Sequence, residues 1–184
     1  SIINVKKINL RKKILKLRKL NYNEKFSINL SNIYKIFKKH KINKPSIGGY
    51  INVNHEMNCI EILKKLEKKK FLISIPIIKK NRQMNFSRWS FNNPLKVNSF
   101  GIPEPKNNKF ILPDVLLVPL VAFDKNKYRI GYGGGYYDRY IEKVQKKKKL
   151  ITIGFAFSFQ EIKKVPKNKY DKKLDYIITE KALI

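Results

Sequence analysis

Residues 131–139 read Gly-Tyr-Gly-Gly-Gly-Tyr-Tyr-Asp-Arg and hold four of the chain's eight glycines. Glycine lets a backbone pass through positive φ and approach a ligand with no Cβ in the way. Successive free N–H groups running into a helix N-terminus bind anions, because the unpaired donors and the helix dipole point the same way. The stretch therefore reads as a phosphate cradle at Gly133, Gly134 and Gly135, with Asp138 a candidate metal ligand at its exit. A tight turn before a helix is the structural alternative. Neither common nucleotide template fits. There is no G-x-x-x-x-G-K-[ST] sequence, and a G-x-G-x-x-G pattern begun at Gly131 fails at Tyr136.

A fold must hold such a loop in place. At 184 residues, with 42% hydrophobic and 12% aromatic side chains, the chain is expected to form one globular domain over residues 1–184. Apolar Ile3, Leu10, Ile14 and Leu17 alternate with lysines as in an amphipathic helix. Asn21 and Glu24 are spaced as a capping box, which predicts a second helix starting there and running through Phe26, Leu30, Ile33 and Phe37. Gly49–Val53 reads as a short strand, and Cys59, Leu63 and Leu66 as the stripe of a third helix. Phe71–Ile78, Asp114–Pro119, Leu150–Phe157 and Tyr176–Thr179 read as strands, with a shorter one at Met84–Trp89 in an otherwise loop-rich stretch. Gly101–Pro105 reads as a rigid turn and Asp124–Asn126 as another, and a helix through Tyr140 and Val144 follows the glycines. Strands alternating with helices predict an α/β fold, a three-layer α/β/α sandwich around a mostly parallel sheet. Ligands in such sheets collect where strand C-termini meet helix N-termini, which is where the glycine loop falls.

The formal charge of +29, from 42 basic and 13 acidic residues, points towards nucleic acid. Two observations weigh against a specific nucleic-acid partner. The lysines are scattered along the whole chain, and the chain is rich in Lys, Asn and Ile, as a bias towards A/T-rich codons would produce. No arginine-interleaved glycine motif or aromatic RNA-binding strand motif is present. The longest apolar run, Val115–Phe123, is too short to span a bilayer, and the N-terminal residues do not read as a secretory signal. The single cysteine, Cys59, rules out an internal disulfide and fits a reducing compartment.

Two segments together, Leu116–Asp124 and Arg129-Ile130-Gly131-Tyr132-Gly133-Gly134-Gly135-Tyr136-Tyr137-Asp138-Arg139, resemble the signature of the 5-formyltetrahydrofolate cyclo-ligase family. Further elements extend the resemblance along nearly the whole chain. Lys7-Ile8-Asn9-Leu10-Arg11 is similar to its K-x-x-L-R element, and Tyr50–Glu56 to its first strand and acid. Gly101-Ile102-Pro103-Glu104-Pro105 matches its G-I-x-E-P turn. Ile153–Ala156 with Gln160, and Asp171–Glu180, match its C-terminal strand and ending. The sequence departs from the pattern at Asn58-Cys59, at Tyr170 and at Leu120, positions that carry no proposed phosphate or metal ligand.

The resemblance implies a cytoplasmic enzyme, expected as a monomer, that uses ATP and Mg²⁺ to cyclise 5-formyltetrahydrofolate to 5,10-methenyltetrahydrofolate. It implies ATP contacts from Lys7, Arg11, Arg129, Ile130, Gly131, Tyr132, Gly133, Gly134, Gly135, Tyr136 and Tyr137. Folate contacts are implied at Ile51, Glu56, Tyr132, Gly133–Gly135 and Tyr136, and metal ligation at Asp138 and Asp171. Arg139 and Tyr136 are implied at the transferring phosphate. Arg18 is a weaker nucleotide candidate, while Trp89 and Phe86 could line the pocket or pack in the core. His40 and His55 have no partner constellation. A basic RNA-binding protein and a folate store without turnover are the competing readings.

Overall fold

A computed structural model spans Ser1–Ile184. Its centre is a seven-stranded sheet in the order β11-β10-β7-β1-β2-β3-β6. These strands are β1 (Ile47–Gly48), β2 (Ile73–Ile78), β3 (Met84–Arg88), β6 (Phe110–Ile111), β7 (Val115–Pro119), β10 (Ile151–Phe155) and β11 (Tyr176–Ile178). The five from β11 to β2 run parallel, while β3 pairs antiparallel with both β2 and β6. The parallel strands are buried on both faces, so they read as unbroken apolar runs. Successive residues of β7 alternate between two cores. Val115 and Leu117 pack under the helices α2 (Leu30–Lys39) and α3 (Ile60–Lys68). Leu116 and Val118 pack under α4 (Tyr136–Gln145). The expected three-layer arrangement is therefore present.

Two hairpins depart from a plain α/β alternation. β4 (Leu95–Val97) pairs with β5 (Pro103–Pro105), so the segment expected to be only a turn is half strand. Buried Glu104 latches this hairpin to the end of β2 by accepting the Ile78 N–H and the Asn98 amide. β8 (Ala122–Phe123) pairs with β9 (Arg129–Ile130) across the expected turn, where Asp124 accepts the N–H groups of Asn126 and Tyr128.

Other expectations need correction. Helix α1 (Ile2–Asn21) ends at Asn21, and the Asn21 side chain bonds back to the Leu17 carbonyl instead of opening a new helix. The second helix begins at Leu30, capped by Asn29, so Phe26 precedes it. The strand expected at Gly49–Val53 lies earlier, at Ile47–Gly48, which frees Tyr50–Glu56 as a loop at the sheet's C-terminal edge. The apolar stripe expected on α1 is only part of its inward face, where Leu10 and Ile14 pack with Val121, Ala122 and Ile130. Leu17 is exposed, and the fully buried residues are Ile14 and Arg18. Positions 7, 11, 14 and 18 share one helical face, and three of the four are basic.

Candidate active site

The C-terminal ends of β1 and β7, the glycine loop, α1 and the β4–β5 hairpin enclose a cavity of about 720 Å³. The loop leaves β9 and enters α4 with Gly133 at φ 97° and Gly135 at φ 69°. Those left-handed conformations favour glycine, and Gly135 is also the cap of α4, where no side chain satisfies the first N–H groups. Unpaired donors and a positive helix end therefore face the cavity. A Cβ on Gly133 would stand 3.4 Å from the Arg11 guanidinium, so loop and helix α1 fit closely here.

From α1, Arg11 donates through Nε to the Gly131 carbonyl at 2.8 Å. Burial pulls the Arg11 pKa below its ordinary value. One turn earlier, Lys7 pairs with Asp171 at 2.6 Å. Arg129, on β9, pairs with Asp138 at 3.1 Å, and its buried Nε has no partner. These five charged groups and the glycine loop all line the same cavity.

Glu56 lines the opposite part of the wall and is buried. One carboxylate oxygen accepts the Val53 N–H at 2.7 Å. Burial raises the pKa of Glu56, while that N–H, the Tyr132 hydroxyl and the Arg18 charge pull it down. Tyr132 is 43% exposed and lines the cavity, while its hydroxyl accepts from Arg18 at 2.8 Å. Burial, followed by the Glu56 charge, pushes the Tyr132 phenol well up. Ile51, Ile130, Tyr136 and Tyr137 complete the apolar lining among the expected residues.

Nearly every expected site residue thus meets in one cavity, from segments more than 100 positions apart. Arg139 is the exception. It is exposed on α4, lies over the Tyr136 ring and donates to the Arg82 carbonyl at 2.8 Å. Arg18 does not line the cavity either; it ties the Asn54 and Tyr132 loops together. Trp89 and Phe86 are core residues. The Tyr176 hydroxyl holds His40 away from the cavity, and His55 packs edge-on against Tyr22. Phe100 and Asn98, at the hairpin tip, line the cavity without having been expected. An exposed aromatic beside a Gly-Ile-Pro turn was the signal available for Phe100.

No three His, Cys, Asp or Glu side chains form a ready-made metal cage. Magnesium does not require one, since it is held by one or two carboxylates together with phosphate oxygens. Both acids already have a cation, Arg129 at Asp138 and Lys7 at Asp171; the Asp138 carboxylate, beside the glycine loop, is the more exposed and suits a metal arriving with phosphates better.

A mostly parallel α/β sheet with a glycine loop at a helix N-terminus and a buried acid at its C-terminal edge defines an α/β fold whose cavity lies where such sheets bind small molecules. The model of the 5-formyltetrahydrofolate cyclo-ligase family matches residues 3–180, and the chain belongs to that family. It is 33% identical to the 5-formyltetrahydrofolate cyclo-ligase of Haemophilus influenzae over 133 residues, covering 68% of this chain and 71% of that one. The Escherichia coli K12 cyclo-ligase is 28% identical over 141 residues, 73% of this chain and 77% of that one. The NMR structure of Aquifex aeolicus 5,10-methenyltetrahydrofolate synthetase superposes with a TM-score of 0.76 at 30% identity, covering 96% of this chain and 91% of that one. A Mycoplasma pneumoniae 5,10-methenyltetrahydrofolate synthetase shares the fold, with a TM-score of 0.67 at 24% identity and coverage of 95% and 98%.

Proposed function

We propose that this chain converts 5-formyltetrahydrofolate to 5,10-methenyltetrahydrofolate at the expense of ATP, in the cavity between the glycine loop and Glu56. The observation that supports this most is the convergence of an anion cradle, two α1 cations and a buried carboxylate on one cavity. The cradle and Arg11 suit polyphosphate, and the Glu56 carboxylate suits adjacent N–H donors of a pterin ring.

The formyl oxygen is a poor leaving group until it is phosphorylated. In the proposed sequence it attacks the γ-phosphorus, and the bond from that phosphorus to the ADP oxygen breaks. Nitrogen 10 then adds to the formyl carbon and loses its proton. The carbon–oxygen bond breaks, inorganic phosphate leaves, and the ring is closed. Such chemistry needs positioning and charge neutralisation more than a covalent protein group.

The loop N–H groups of Gly133–Gly135 and the Arg11 guanidinium hold the phosphates, while Lys7 balances Asp171 at the rim. Magnesium, held through Asp138 with Asp171 as second candidate, would neutralise phosphate charge. Tyr132, Tyr136 and Ile51 form the walls against which the folate ring lies. Arg139, already against the Gly135 backbone, is the cation for the transferring phosphate once it leaves the Arg82 carbonyl.

The test is direct: protein, ATP, Mg²⁺ and 5-formyltetrahydrofolate are mixed, and the absorbance of the methenyl product is followed. A rise that needs all four components supports the reading. No product at any protein concentration overturns it.

A further inference from the structure

Among side chains with almost no exposed surface, Arg18 is the largest; it does not itself line the cavity but bonds to two residues that do. It lies between three segments that the site depends on. Nη2 donates to the Asn54 carbonyl at 2.7 Å, in the loop that carries Glu56. Nη1 donates to the Tyr132 hydroxyl at 2.8 Å and, more weakly, to the Leu120 carbonyl at 3.4 Å. Nε is buried without a partner. A guanidinium taken out of water with one donor unused is poorly explained by stability alone.

We propose that Arg18 is a positioning residue that ties the loop carrying Glu56 to Tyr132 of the glycine loop and so holds that carboxylate in place for the reduced-folate ring. This rests on the function proposed above. A guanidinium can only donate, so it occupies a lone pair of the Tyr132 oxygen. The Tyr132 hydroxyl and the Arg18 charge both favour the ionised form of the Glu56 carboxylate. Meanwhile the bond to Asn54 fixes the height of the loop two residues before Glu56. One buried cation thus sets the relative position of the folate acid and the glycine loop.

The groups facing Glu56 come from several elements. Tyr132 and Tyr137 come from the glycine loop and α4, Tyr50 from the segment after β1, Cys59 from the start of α3, and Arg18 from α1. Burial pushes Tyr50, Cys59 and Tyr137 up, so they stay neutral where a carboxylate titrates. Arg18 is the cation among them. His55, next to Glu56 in sequence, turns outward onto Tyr22. Weakening the Arg18–Tyr132 link therefore removes influences that favour the ionised carboxylate.

Steady-state kinetics against both substrates across pH, with calorimetric folate binding, test this. Tyr132→Phe should raise KM for 5-formyltetrahydrofolate about tenfold, the size of one charge-assisted hydrogen bond, and change KM for ATP less than about twofold. The acid limb of kcat/KM for the folate should move to higher pH. Arg18→Lys, which keeps the charge but not the fork, should move it the same way by less. In a Glu56→Gln background, Tyr132→Phe should add less than about twofold, because the two act as a unit. His55→Gln should leave the limb in place. An unmoved limb in Tyr132→Phe, equal effects on both KM values, or an undiminished penalty in the Glu56→Gln background each overturn the proposal. If the wild type makes no product, the proposed function fails, and folate binding across pH in the same variants still decides the role of Arg18. No folate binding by the wild type overturns both.

Discussion

Both ends of the parallel sheet carry carboxylates, and they do opposite things. At the N-terminal end, Asp114 accepts the Ser46 N–H and hydroxyl and so ties β7 to β1. Asp175 does the same for β11 and β10 through the Thr152 N–H and hydroxyl. These acids close hydrogen-bond ladders where strands begin. On the cavity side, Asp138, Asp171 and Glu56 face a space that the protein itself does not fill. Two are balanced by cations, Arg129 and Lys7, and one is buried with its ionisation disfavoured. Glu180 lies beyond the C-terminal end of β11, yet it accepts from Ser158 and belongs with the structural group. Unfilled bonding capacity towards a cavity, more than residue type, separates the two sets.

That contrast can be broken most forcefully at Asp138. Asp138→Asn should lower kcat/KM about 100-fold or more, the scale seen when a group that stabilises transferring charge is removed. Its melting temperature should barely change, because the carboxylate is 59% exposed and such ion pairs contribute about 0–1 kcal/mol. A near-normal rate would remove Asp138 from the metal role. Next comes Gly133→Ala. With φ at 97° and Arg11 at contact distance, a methyl group both strains the loop, by about 1–2 kcal/mol, and presses on the guanidinium. kcat/KM for ATP should fall about tenfold or more, mainly through a raised KM. An unchanged KM for ATP would mean that the cradle does not hold phosphate.

At the other end, Asp175→Ala should reverse the pattern. The Thr152 N–H and hydroxyl lose their acceptor, and stability to urea should drop by about 1 kcal/mol while KM for both substrates holds. A change in KM without a change in stability would show that the two ends are not separable in this way.

Much of the cavity could be read in advance because its chemistry is carried by backbone. Gly133–Gly135 with Asp138 mark a candidate cradle, with a tight turn as the alternative, and apolar runs such as Val115–Pro119 announce buried parallel strands. Helix α1 was harder. Its lysines and arginines are so numerous that nothing local marks Lys7, Arg11 and Arg18 as inward; of its aliphatic stripe, Leu10 and Ile14 do pack inward, while Leu17 is exposed. The Glu56 loop was displaced for a related reason. Tyr50, Ile51 and Val53 have strand propensity, but the strand ends at Gly48, and Asn52 turns its side chain to accept the N–H groups of Cys59 and Ile60 at the start of α3. Tertiary partners outside the segment decided both cases.

The smallest effect is the most diagnostic, because the two ends predict opposite slopes with pH. Burial pushes the Asp114 carboxyl up, but the Lys148 hydrogen bond and the Ser46 N–H outweigh it, and the net pKa is lowered. A lowered pKa stabilises the fold above the ordinary carboxylate value and loses that contribution as pH falls through the folded value. Asp114→Asn should therefore be less stable than wild type near neutrality, by under about 1 kcal/mol since the carboxylate is well exposed, and the gap should close below about pH 3.8. Glu56 is the mirror image. Its pKa is raised, so its contribution is complete below the ordinary value and is lost as pH rises through the folded value. Glu56→Gln should gain stability on wild type over that rise, where the buried carboxylate ionises, while it loses folate affinity. Urea unfolding of both variants from about pH 3 to pH 8 checks the pair. Slopes of the same sign would show that the cavity acid is as well satisfied by its own protein as the strand-end acid, and that it is not waiting for a ligand.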